Sequence, residues 1–352
     1  MRALLWMLPL LLQASPEAEA LWERGERAAA LERMGAELAA APGDAELRAR
    51  LVSAELDVGR FRAALGHCAG LPEARRGLRG RALYFLTDYE ACLEHLRFDD
   101  RQELLMRAEA LRALGRFDEL DALQPRLREV LGADDPAVRL IEAQAALRRG
   151  EDEVALPILR EVLAREPLEP AALFGLGRAL VRLGQREEGL EVLERHRRIL
   201  PLLDALDFAR RGVALAPRSA SNQVALGEAL VALVPEDHRL LAEARAAHER
   251  AWRDATRPEV VPVALRCARF RWETTGEREP ALALLAEAIE RQDDPRLRVR
   301  RADYLTALGR AAEALVELEA AARARPTDAA IQRRIDALRD EAARGEQDAG
   351  GR

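Results

Sequence analysis

The chain has no lysine at all, so every one of its 55 basic side chains is arginine. With 61 acidic residues the formal net charge is −6, and both signs are interspersed. A general nucleic-acid binder rests on a basic surface, and that class is set aside on this ground. Aromatic residues make up 4% of the chain, and the Val, Ile, Thr and Tyr that fill sheets are scarce. A sheet-based core is therefore not expected. The three cysteines, Cys68, Cys92 and Cys267, are odd in number and lack paired spacing, which excludes a disulfide framework. The apolar run Ala3 to Leu12 is too short to cross a bilayer. What is abundant is Ala, Leu, Glu and Arg, all good helix formers. No shift in composition marks a domain junction, so one continuous helical architecture is predicted.

Arg2, the apolar run after it and the small Ala14 read as a secretory signal over residues 1–14. Cleavage after Ala14 would leave Ser15 as an N-cap, Pro16 at the first helical position, and Glu17 and Glu19 in the positive first turn. A competing site follows Ala18-Glu19-Ala20. No cysteine follows the run to carry a lipid. The expectation is an exported protein, periplasmic or secreted, with no membrane span after processing.

A repeat near 34 residues runs through the chain. Gly150 and Gly184 are 34 apart, as are Pro136 and Pro170, Leu159 and Leu193, and Pro167 and Pro201. Gly59, Gly115, Gly276 and Gly309 occupy the same turn, where φ > 0 closes the first helix of a hairpin. Asp135-Pro136 and Asp294-Pro295 start helices, while Asp44, Ser219 and Asp328 cap without proline. Small residues recur where backbones must approach: Ala143, Gly177, Gly227 and Ala302 in first helices, Ala64, Ala155, Gly189 and Ala281 in second ones. Large apolar residues such as Met34, Leu96, Leu159, Leu193, Leu285 and Leu318 follow the second-helix small positions by four, giving each second helix a buried stripe.

On these residues, and on segments such as Leu176-Gly177-Arg178-Ala179-Leu180 and Leu86-Thr87-Asp88-Tyr89-Glu90, the chain resembles the tetratricopeptide-repeat family. The resemblance implies an all-α, right-handed superhelical solenoid of about nine helical hairpins over residues 15–344. A final helix from Ala329 caps it, and a disordered tail follows at 345–352. Leu202 to Ala216 reads as a lone inserted helix, Pro235 to Arg239 as a lengthened turn, and the unit after it as starting at 262. The family's bulky aromatic positions are mostly leucine here.

Motifs for chemistry fail one by one. Gly175-Leu176-Gly177 lies inside a repeat helix and lacks the third glycine of a dinucleotide loop. His248-Glu249 would begin a zincin motif, but Trp252 stands where its second histidine belongs. His67, Cys68, Cys92 and His95 carry zinc-competent atoms, yet both cysteines sit at core positions, and no metal or cofactor is expected. Trp252 and Trp272 read as packing residues. The acidic pairs Asp99-Asp100 and Asp293-Asp294 read as helix caps, so no catalytic residue is assigned and the chain is not expected to be an enzyme.

The resemblance implies a scaffold for a protein or peptide partner, held in the concave groove that first helices line. Positions that point inward in such repeats are Arg81, Tyr84, Arg112, Gln144, Arg148, Arg178 and Arg182. Guanidinium groups along one groove fit an acidic segment or a free C-terminus. The same positions further on include Glu228, Glu273 and Asp303, which confines a basic stretch to the middle of the chain. Two alternatives stand beside this reading: a self-associating envelope-assembly or secretion accessory, and a sensor or enzyme subunit that binds a small molecule.

Overall fold

A computed structural model describes residues 15–350, with side chains described over 15–340. The expected signal segment, 1–14, lies outside the described residues. Helices follow one another and no strand occurs among the described residues. They pair in order: α1 (Pro16–Glu23) with α2 (Arg27–Ala40), α3 (Ala45–Asp57) with α4 (Phe61–His67), and α5 (Arg76–Phe85) with α6 (Tyr89–His95). Next come α7 (Arg101–Ala113) with α8 (Phe117–Leu131), α9 (Pro136–Arg149) with α10 (Asp152–Arg165), and α11 (Pro170–Arg182) with α12 (Arg186–Leu215). The last pairs are α13 (Ala220–Leu233) with α14 (Leu240–Asp254), α15 (Val260–Arg269) with α16 (Arg278–Arg291), and α17 (Pro295–Ala307) with α18 (Ala311–Ala324). A single helix, α19 (Ala329–Gly350), packs on α18. The fold is an all-α solenoid of helical hairpins.

The caps read from sequence are the caps that form. Ser15 accepts from the Ala18 N–H, Asp44 from Glu46 and Leu47, Asp135 from Ala137, Ser219 from Asn222, Asp294 from Arg296, and Asp328 from Ala330. The turn glycines take the left-handed conformation, with φ of 77° at Gly59, 78° at Gly150 and 84° at Gly184. At the α5–α6 turn the residue in that role is Thr87, at φ 62°.

Packing follows the small-residue pattern. Ala64, Ala143, Ala155, Ala281 and Ala302 are fully buried, and so are Leu96, Leu159 and Leu285 four residues on from second-helix positions. A buried leucine contributes about 1.5–3 kcal/mol, so each hairpin is held mainly by this stripe. Leu193 departs from the pattern and is only half-buried.

The chain forms two compact units. One runs to Pro217 and takes in Pro235–His238; the other comprises Arg218–Val234 and the residues from Arg239 onward. Within each unit, first helices of neighbouring hairpins touch one another: α3 with α5, α5 with α7 and α9 with α11 in the first, α13 with α15 and α15 with α17 in the second. Second helices of neighbouring hairpins make no comparable contact. First helices of these neighbouring hairpins therefore lie side by side within each unit.

Two expectations about boundaries are corrected. Residues 202–216 are not a separate helix: α12 runs unbroken for 30 residues through Pro201. Proline removes one backbone donor, and Pro201 falls on the exposed side of the helix. The helix expected from 262 begins at Val260, after a 3-10 turn at Arg257–Glu259 closed by a Thr256–Glu259 capping box, and ends in a π turn at Phe270–Thr274. The last helix, α19, is described as far as Gly350.

Candidate partner-binding face

The positions expected to point inward lie on four first helices of the first unit. On α5, Arg81 donates to the Gln102 side chain at 2.7 Å, and Tyr84 meets Phe85 and Tyr89 edge to face at 5.4 and 5.9 Å. Burial pushes the Tyr84 phenol up, and Glu109 adds to the shift. On α7, Arg112 forks onto Glu109 one turn back. On α9, Arg148 donates to Asp121 of α8 at 2.7 Å and lays its guanidinium over the Phe117 ring, 4.4 Å from its centroid. Gln144 sits one turn before it, half-buried. On α11, Arg182 donates to Asp152 at the start of α10, and Arg178 lies 5.5 Å from the centroid of Phe174.

These arginines all stand on first helices, and most of them already meet a carboxylate. Arg178 differs: its ring partner Phe174 is itself exposed and 5.5 Å from His196 of α12. Asp121, Asp152 and Phe174 went unread in the sequence. Asp121 and Asp152 lie 27 and 30 residues from their arginines and reach them only across packed helices. Phe174, four residues before Arg178, carried an i, i+4 signal that was legible.

Another titratable group is Asp57, the last residue of α3. Burial pushes its carboxyl up to about 6, although Arg81 and Arg27 oppose the shift.

In the second unit two of the three corresponding acidic positions are occupied by internal pairs. Glu228 accepts from Arg266 and Arg269 at 3.2 and 2.9 Å, and Asp303 pairs with Arg334. A shallow cavity of about 410 Å³ lies beside α16, lined by Leu282, Ala283, Ala286, Arg301 and Arg310. Its arginines are held by Glu317 and Glu313, so no set of unoccupied polar groups converges there.

The remaining candidates resolve into packing. His67 Nδ1 lies 2.9 Å from the buried Glu55 carboxylate, and the Cys92 thiol donates to the Tyr89 carbonyl. All three cysteines are buried free thiols, and among the described residues no three His, Cys, Asp or Glu side chains converge on a metal position. Trp252 is buried and donates to Glu287, while Trp272 stacks on Tyr304 at 4.0 Å. Asp100 and Asp294 cap α7 and α17. No described helix is long and apolar enough to cross a membrane.

Part of the chain matches a known family of helical-hairpin repeats. Residues 146–205, from the end of α9 into α12, match the family model of the tetratricopeptide repeat. No curated protein matches the chain. Among solved structures it is similar to TTC0263, a thermophilic TPR protein of Thermus thermophilus, at 25% identity over 58% of this chain and 98% of that one, with a TM-score of 0.33. It is also similar to the P58(IPK) TPR domain (16% identity, 94% and 97% covered, TM-score 0.28) and to human IFIT1, solved as a dimer with PPP-AAAA (16%, 95% and 81%, 0.35). These scores carry nothing about partners.

Proposed function

From a chain whose helical hairpins resemble tetratricopeptide repeats, we propose a non-catalytic scaffold that holds an acidic protein segment, or a free C-terminus, on the first-helix layer of the first unit. The family match over residues 146–205 supports a fold used for protein–protein interaction. The finer reading is supported by one observation: Arg112, Arg148, Arg178 and Arg182 recur on successive first helices. The pairs they make to Glu109 and Asp121 are partly exposed, and such pairs are worth about 0–1 kcal/mol. An incoming carboxylate can displace them at little cost, and a bidentate fork adds geometric selectivity.

The test is fluorescence anisotropy with a panel of acidic peptides, each with a free and an amidated C-terminus. Binding should weaken with salt and fall about tenfold or more in a variant carrying Arg148→Ala, Arg178→Ala and Arg182→Ala. Unchanged affinity in a folded triple variant overturns the site.

The same proposal places the mature chain outside the cytoplasm, starting at Ser15. Support comes from the sequence of residues 1–14 and from Ser15 capping α1 by itself. N-terminal sequencing of protein from its native host that finds Met1 retained overturns export.

A further inference from the structure

The second half of α12 carries a line of exposed apolar residues, beside which the stem of Arg211 rests on Gly59. Ile199, Leu206 and Ala209 are buried on one side of this helix, whereas Leu200, Phe208 and Leu215 face outward at 38%, 74% and 39% exposure. Phe208 is the most exposed large apolar residue among those described. Between these three stand Asp204 and Arg211, both exposed. The five residues follow one another at intervals of four, four, three and four, so they lie in one line along the helix.

Their order is symmetric in shape and antisymmetric in charge. Leu200 and Leu215 flank the stripe at its ends, Asp204 and Arg211 stand inside them, and Phe208 occupies the middle. We infer that this face of α12 is a self-association surface that pairs antiparallel with α12 of a second copy. In that arrangement each Asp204 meets the other copy's Arg211, each Leu200 meets a Leu215, and the two Phe208 rings meet beside the two-fold axis. A two-fold interface must be self-complementary in this way. A parallel pairing would set Asp204 against Asp204 and Arg211 against Arg211, which is repulsive.

The local structure supports a presented face. α12 is 30 residues long, about 45 Å, and unbroken. Its far end is tied back to the first hairpins: Arg27 donates to the Ala214 carbonyl at 2.7 Å, and the Arg211 side chain lies against Gly59. Arg211 also feels Asp207 on its own helix, so the other copy's Asp204 would add a second carboxylate to a cation already in place. So few apolar side chains make a small interface, and the association is accordingly weak and salt-sensitive.

The experiment is sedimentation of the full chain over a concentration series. The wild type should approach twice the chain mass at high concentration, and Phe208→Ser should remain at the chain mass with an unchanged melting temperature, since Phe208 contributes little to the core. Asp204→Arg and Arg211→Asp should each weaken association about tenfold, and the two together should restore it. Phe208→Cys should form an interchain disulfide on mild oxidation. A wild type that stays at the chain mass, a dimer that survives Phe208→Ser, or a charge swap that fails to restore pairing overturns the inference. Peptide binding to the first-helix arginines should not change in Phe208→Ser, so this proposal and the preceding one fail separately.

Discussion

Gly177 of α11 and Gly189 of α12 pack backbone against backbone: a Cβ on Gly189 would stand 2.8 Å from the Gly177 carbonyl oxygen and 2.7 Å from a Val181 methyl. In an open helix interior, Gly→Ala gains about 1 kcal/mol of helix propensity. Here the contact is with backbone, which cannot yield, and overpacking of this kind costs about 1–3 kcal/mol. Gly189→Ala should therefore destabilise the first unit. Gly35, inside α2 with nothing within 4 Å of its Cβ position, should respond with the opposite sign. Thermal melts of Gly189→Ala and Gly35→Ala check the pair of signs.

Thr87 holds a left-handed conformation where seven of the other eight hairpin turns have glycine. A β-branched residue there is strained by about 1–2 kcal/mol. Its hydroxyl donates to the Leu86 carbonyl at 2.6 Å, which offsets part of that strain. Thr87→Gly should raise stability by about 1 kcal/mol, read from the denaturant midpoint at constant slope. A lower midpoint would show that the hydroxyl matters more than the φ.

His248 of α14 is buried with its Nε2 unpartnered against Gly227, where a Cβ would come within 2.8 Å. Its ring stacks on Phe270, and its Nδ1 lies 3.8 Å from the Cys267 thiol. Burial lowers its pKa to about 4, and Arg269 and Arg271 add to the shift. A histidine with a depressed folded-state pKa gives stability that is fully present above its unfolded value near 6.5. That stability is lost as pH falls from there toward 4. The loss should reach about 3 kcal/mol and should fall on the second unit. Hydrogen exchange at about pH 7 and about pH 4.5 would locate it; an equal loss in His248→Leu would assign it elsewhere.

Asp57 has the opposite sign. Its folded-state pKa is raised to about 6 by burial, so its stabilising contribution is present below about 4 and lost as pH rises through 6. Relative to Asp57→Asn, the wild type should lose ground between about pH 4 and 6 and then run parallel above. Melting curves of the two proteins across that range check it. A constant difference would mean that Arg27 and Arg81 hold the carboxylate charged throughout.

Hairpin boundaries were legible in the sequence because caps and left-handed glycines act within one helical turn. Asp135 needs only the Ala137 N–H, and Gly150 needs only its own φ. The close approach of Gly177 and Gly189 was also legible, because small residues recurring at the repeat period are a local signature of crowding. Sequence alone likewise placed the candidate arginines on first helices, since their register follows from the helix starts.

Tertiary structure decided the rest. Whether Pro201 ends a helix depends on which side of that helix is wet, and in α12 the proline falls on the solvent side. Which carboxylates reach Arg148 and Arg182 depends on how α8 packs on α9 and α10 on α11, a relation between residues about thirty apart. The burial of His248 and the outward turn of Phe208 depend on what each helix packs against. Local chemistry sets where helices begin and end; only packing sets which faces are covered.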